Sequence, residues 1–139
     1  MTATVWLRIS SIIGLLFAAG HTLGGRRNWS PMPDNPVFQA MKTVHFDFTH
    51  VTRTYLDFYM GFGYALTVYQ LMQAALLWQL AGLARTNPHS VRPMIGVIAL
   101  ACAAGTVITW YFILPLPAVF SLVLLASLTV SYVVAGRTR

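Results

Sequence analysis

The sequence predicts an all-α integral membrane protein: a four-transmembrane-helix bundle with a short amphipathic helix in its long first loop. Three observations predict it. The 139 residues are 57% hydrophobic and 9% charged, where an ordinary soluble domain carries about a quarter charged residues. Mean hydropathy is +0.65, more apolar surface than a soluble core of this size can hide. Four segments approach the ~20 apolar residues that a spanning helix needs: 5–23, 58–83, 91–112 and 115–135. An open sheet in lipid would leave backbone groups unpaired, so helices are the expected solution. A single membrane domain over 1–139 accounts for the chain.

The first span begins near Arg8 and ends at Gly24-Gly25-Arg26-Arg27, a sequence suited to a glycine cap with cations at the negative end of the helix dipole. A cleaved signal peptide is the competing reading, with Ala18 and Gly20 near a cut, but the stretch is long enough to span. The link 84–90 between the second and third spans is short and contains Asn87-Pro88. Leu114-Pro115-Leu116-Pro117 joins the last two spans in a tight hairpin, since proline stops one helix and suits the first turn of the next.

With four spans, the N-terminus, the second link and the C-terminus share a side. That side holds Arg8, Arg85, Arg92, Arg137 and Arg139, against Arg26, Arg27, Lys42 and Arg53 on the other. Five positives against four favour both termini in the cytoplasm. Trp6 and Trp78 then fall at the inner interface, and Trp29 and Trp110 at the outer one. Gly14 with Ala18, Gly61 with Ala65 and Ala101 with Gly105 are small-xxx-small pairs for close helix approach, and Cys102, Thr106 and Thr109 form one contact stripe.

Residues 24–57 carry most of the polar chemistry. After the proline-fixed stretch 28–33, Asp34-Asn35-Pro36 reads as a helix start with an N-cap candidate. Val37, Phe38, Met41, Val44, His45 and Phe48 then recur at helical spacing, which predicts an amphipathic helix at the outer interface. It would bring His45 and Asp47 over His21. Arg53 and Asp57, four apart, form a natural ion pair at the start of span two. Tyr64, Thr67, Gln70 and Gln73 continue a polar stripe inward from Asp57.

Gly20-His21-Thr22-Leu23-Gly24 and Arg53-Thr54-Tyr55-Leu56-Asp57-Phe58-Tyr59-Met60-Gly61-Phe62-Gly63 resemble a family of small uncharacterised bacterial four-span proteins. The first piece also resembles, more loosely, the start of DoxX-like membrane proteins. The likeness covers about the first 80 residues. It implies a four-helix bundle with a short outer helix, and no reaction.

The positive charge is scattered rather than striped, which excludes nucleic acid as a partner. One cysteine, Cys102, excludes an internal disulfide and a CxxC motif. There is no Walker loop, no GxGxxG and no serine or cysteine triad.

The polar cluster left over supports two functional classes. One is a site for a lipophilic molecule with a polar head, such as a quinone, a sterol-like or an isoprenoid compound. Arg53, Tyr55, Tyr59 and Tyr64 would contact it. Its enzymatic version uses His21, His45, Asp47 and Asp57 for acid–base chemistry. The other class is a non-enzymatic accessory subunit of a membrane complex. Its partners would be membrane lipids and other membrane subunits or copies of itself. No cofactor is specified. His45 and His50 are five apart, off the i,i+4 spacing of a helical metal pair, so no metal site is assigned.

Overall fold

The computed structural model describes residues 2–28, 30, 32 and 34–137. The chain order is α1 (Ala3–Gly25), α2 (Pro36–Thr43), β1 (His45–Phe48), β2 (Val51–Thr54), α3 (Tyr55–Leu83), α4 (Pro88–Phe112) and α5 (Pro115–Arg137). Three helices, α1, α4 and α5, are long and apolar enough to cross a membrane. The chain is accordingly a helical membrane protein.

Two expectations are corrected. The four-transmembrane-helix bundle is not what the structure shows, because α3 falls short on composition. Its 29 residues include Asp57, Tyr55, Tyr59, Tyr64, Tyr69, Gln70, Gln73 and Gln79, which dilute the leucines around them. The orientation with both termini in the cytoplasm rested on an even number of crossings and loses that basis. The amphipathic helix of the first loop is also shorter than its periodicity suggested. It stops at Thr43, and His45–Thr54 turns back on itself as a β-hairpin.

Asparagine followed by proline starts two of the helices. The Asn35 side chain accepts a hydrogen bond from Val37 N at 2.8 Å, and that of Asn87 accepts from Ser90 N at 3.1 Å. Each satisfies an orphan donor of a first turn whose N1 proline has no N–H to lose. The end of α1 departs from the expected glycine cap. Arg26, Arg27 and Asn28 donate three residues back to Leu23, Gly24 and Gly25. The left-handed residue that turns the chain is Asn28, at φ 50°, asparagine being one of the few side chains tolerant of that region. Trp29, Arg139 and the two prolines of the stretch 28–33 lie outside the described residues.

The chain forms two compact units. The first comprises residues 1–17 and 70–139. Leu7, Leu77, Ile95 and Leu128 are fully buried in its core. In lipid, apolar burial contributes little to helix association, because the lipid tails are as apolar as leucine. Close approach and hydrogen bonds must do more. Gly14 packs on Ala74, where an added Cβ would sit 3.3 Å from the Ala74 Cβ. Ser11 donates to the Ala74 carbonyl at 2.7 Å. The Ser10 and Ser127 hydroxyls lie 2.8 Å apart, and both reach the Trp6 carbonyl, at 2.9 and 3.3 Å.

Ring contacts add to the packing of this unit. Phe17 stacks on Phe120 with centroids 5.4 Å apart, and Arg8 lies 5.2 Å over Trp78. Arg92 covers Tyr132 at 4.4 Å. Gly136 leaves room for its guanidinium, whose Cζ would be 2.9 Å from an added Cβ. Of the glycines in the three small-residue pairs, Gly14 makes such an approach. Gly61 and Gly105 face nothing within 4 Å. The Thr106 and Thr109 hydroxyls return to their own helix, on the Cys102 and Gly105 carbonyls.

The second unit comprises Ala18–Tyr69. It holds the end of α1, the whole of α2, the hairpin and the first half of α3. In the hairpin, His45 pairs with Thr54, Phe46 with Arg53, Asp47 with Thr52 and Phe48 with Val51. The two-residue turn is Thr49-His50, at φ 47° and 66°. A turn left-handed at both positions matches strand twist and favours Asn-Gly, so a β-branched threonine there is strained.

Two outcomes follow from these contacts. In a double-mutant cycle, Ser10→Ala and Ser127→Ala should show a coupling of about 0.6 kcal/mol, the usual worth of an interhelical hydrogen bond in a membrane protein. Unfolding in mixed detergent micelles measures it, and strict additivity would remove the bond from the account. Replacing Thr49-His50 by Asn-Gly should stabilise the hairpin by about 1 kcal/mol or more. Its amide protons would then exchange several-fold more slowly.

Candidate functional site

Every residue expected at the polar site belongs to the second unit, and the structure divides them among three local arrangements. The first is His21. It is half-buried on the last turns of α1, and its Nδ1 lies 2.9 Å from the Thr67 hydroxyl of α3. Thr67 is also 3.4 Å from the Gly63 carbonyl, which is long for an O–H···O bond. Either atom can donate in the His21–Thr67 bond, the histidine tautomer deciding which. Such a pair can offer both a donor and an acceptor without carrying charge.

The second arrangement is the polar face of the hairpin. Alternation along a strand sets His45, Asp47, Thr52 and Thr54 on one side. The Thr52 hydroxyl donates to Asp47 Oδ1 at 2.6 Å across the pair. His45 Nδ1 donates to the Thr43 carbonyl at 2.8 Å, which orients the ring from the end of α2. Both residues are exposed. The hydrogen bonds described for His45 and Asp47 are thus made to Thr43 and Thr52. His50 is exposed in the turn, and Lys42 lies 4.8 Å over the Phe38 ring.

The third is the start of α3. Thr54 N donates to Asp57 Oδ2 at 2.9 Å, and Asp57 N donates to the Thr54 hydroxyl at 3.0 Å. This reciprocal pair is a capping box, with aspartate in the place of the usual glutamate. The expected Arg53–Asp57 pair is replaced by it, because Arg53 Nη1 turns to the Thr52 carbonyl at 2.8 Å. The backbone bond from Thr54 and then its hydroxyl hold the Asp57 carboxyl below the ordinary aspartate range, with smaller help from the charges of Arg53 and His45.

The tyrosines expected to contact a ligand are on the outside of the unit. Tyr55, Tyr59 and Tyr64 are all exposed, while Leu56, Met60, Gly63 and Thr67 form the more covered stripe of α3. Further along, in the first unit, Gln73 Nε2 donates to Cys102 Sγ at 3.2 Å. Gln70 Oε1 is buried with no hydrogen-bond partner among the described residues. Among the described residues no group of three or more His, Cys, Asp or Glu side chains is gathered to hold a metal ion.

Comparison with protein-family models, with curated proteins and with solved structures finds no match to this chain. Its chemistry rests on the residues themselves. Thr67, Thr52 and Thr54, the hydroxyl partners of the polar cluster, were not among the expected site residues. One of them had a visible signal: Thr54-Tyr55-Leu56-Asp57 has capping-box spacing.

The Asp57 shift has a defined sign. With its folded value depressed, Asp57 adds stability at neutral pH. That contribution declines as pH drops past the ordinary aspartate value of about 3.9 and is gone below the folded value. Thr54→Ala should raise the Asp57 titration midpoint in carbon-detected NMR and cost about 1 kcal/mol as a lost N-cap. An unmoved midpoint would remove the Thr54 hydroxyl as a cause and leave the backbone bond.

Proposed function

We propose that the protein is a bacterial inner-membrane protein, a remote DoxX-like relative on the Gly20–Gly24 likeness, that binds a lipophilic small molecule with a polar head at the end of α1. A quinone, a sterol-like or an isoprenoid compound has the required chemistry. One observation carries the reading: the His21–Thr67 pair. Polar side chains at membrane depth are costly and tend to be retained for function. Here an imidazole and a hydroxyl from two helices share one hydrogen bond at a half-covered position. A carbonyl or hydroxyl head group can exchange into such a pair, while the chain of the ligand lies along apolar helix surface.

The His45, Asp47 and Asp57 part of the acid–base version has less support, since each group's described bonds serve the hairpin or the helix cap. His21 is the residue that acid–base chemistry would use.

The accessory-subunit reading keeps one observation of its own. Trp110, Tyr111 and Phe112 form an exposed aromatic end to α4, of the kind that anchors at a membrane interface or meets another subunit.

A tail-labelled photoreactive quinone analogue tests the binding reading. In vesicles holding the full chain, labelling should concentrate near His21, and His21→Ala or Thr67→Val should reduce it by about tenfold, the equivalent of one lost hydrogen bond of about 1.4 kcal/mol. Equal labelling of the variants would overturn the site. Loss of labelling together with loss of helix content would show a folding role instead.

A further inference from the structure

The β1–β2 hairpin sorts its side chains by face, and the two faces differ in chemistry. His45, Asp47, Thr52 and Thr54 make the polar side and bond among themselves and to neighbouring caps. Phe46, Phe48, Val51 and Arg53 make the other side. That side is open: Phe48 is 72% exposed and Val51 43%. Phe46 extends it into ring contacts with Tyr55 at 5.1 Å and Phe58 at 6.2 Å, and Phe58 meets Phe62 edge-on at 4.8 Å. Phe58 and Phe62 are themselves more than half exposed.

The same compact unit contains the last turns of α1, a helix long and apolar enough to cross a membrane. A membrane surface is therefore brought to this unit by its own chain. Charge is sorted to match. The one ionised side chain on the apolar face of the hairpin is Arg53, whereas Asp47 is on the polar face. Four-residue strands reach only about 13 Å at ~3.3 Å per residue, far short of the ~30 Å hydrocarbon core. Both strand edges also carry unpaired backbone groups, which the core does not tolerate and the hydrated headgroup layer does.

We propose that the hairpin lies flat on the membrane as an amphipathic β-element, with Phe46, Phe48 and Val51 in the headgroup–acyl boundary and Arg53 on an anionic lipid phosphate. The polar face then looks to water. Aromatic side chains favour this layer, and arginine lays its stem along apolar surface while its guanidinium reaches phosphate. The inference stands apart from the ligand reading, since it uses neither His21 nor Thr67.

Nitroxide labels test it on the full chain. Cys102→Ala supplies a cysteine-free background, and Phe48→Cys, Val51→Cys and Thr52→Cys each carry one label in phosphatidylcholine–phosphatidylglycerol vesicles. Labels at 48 and 51 should relax several-fold more with oxygen than with a water-soluble nickel chelate, and the label at 52 should show the reverse. Nickel access at all three positions would overturn the proposal. So would shielding of 48 and 51 from both agents, which would identify a protein rather than lipid as the cover. Arg53→Gln should make the label at 48 shallower in these vesicles but not in phosphatidylcholine alone. An equal depth in both would remove the phosphate contact.

Discussion

In this chain, polar groups in an apolar surrounding must find their partners within the protein. The three helices able to cross a membrane cannot be held together by apolar burial alone, because lipid offers their leucines much the same surroundings. What distinguishes the packed arrangement is close approach at small residues and hydroxyls that reach carbonyls or one another. Ser10 with Ser127 around the Trp6 carbonyl joins α1 to α5 in that way, and Gly14 and Ser11 join α1 to Ala74 of α3. A serine on a helix bonds well to its own preceding turn. The seam is specific because Ser11 and Ser127 bond outside their own helices.

The same constraint explains where the irregular structure is. A β-hairpin has two open edges, and its unpaired groups need water or headgroups. It therefore occurs in the connection between α2 and α3, in the unit that holds the end of α1, and not inside the apolar seam. The acids follow the same rule. Asp34, Asp47 and Asp57 are all exposed and lie outside the three candidate spans, while the half-buried His21, at the end of α1, is met by the Thr67 hydroxyl.

Much of this was legible in the residues, and the exceptions have physical causes. The helical hairpin of α4 and α5 could be read from its prolines and its apolar length, and the start of α2 from Asn35-Pro36. Residues 45–48 were misread because Val44, His45 and Phe48 continue the i, i+3, i+4 rhythm of α2, while their period-two alternation is only four residues long. A turn of Thr49-His50 gave no warning, since neither residue is a usual left-handed turn former. The fourth span was expected because α3 is rich in leucine near its end, but tyrosine and glutamine are costly in lipid and weigh against counting them as apolar. The serine seam was missed because single serines in an apolar run look like noise until their partners are known.

Asp57 shows how an attractive pairing can be displaced. Arg53 and Asp57 have opposite charge and helical spacing, yet an exposed ion pair of this kind contributes little, typically under about 1 kcal/mol. A carboxylate at N3 of a helix has a better offer: a backbone N–H fixed in place, a threonine hydroxyl returning the bond, and the positive end of the helix dipole. Arg53 also sits in a strand, not on the helix, so the i,i+4 geometry that would pair it with Asp57 never forms. Released from that role, its guanidinium belongs to the apolar face of the hairpin, where an arginine is useful chiefly to something anionic outside the protein. Once Asp57 serves as a cap and His45 and Asp47 as parts of a hairpin, the original cluster contracts. His21 with Thr67 is the pair whose bond secures neither a helix end nor a turn, and that is why the functional reading rests there.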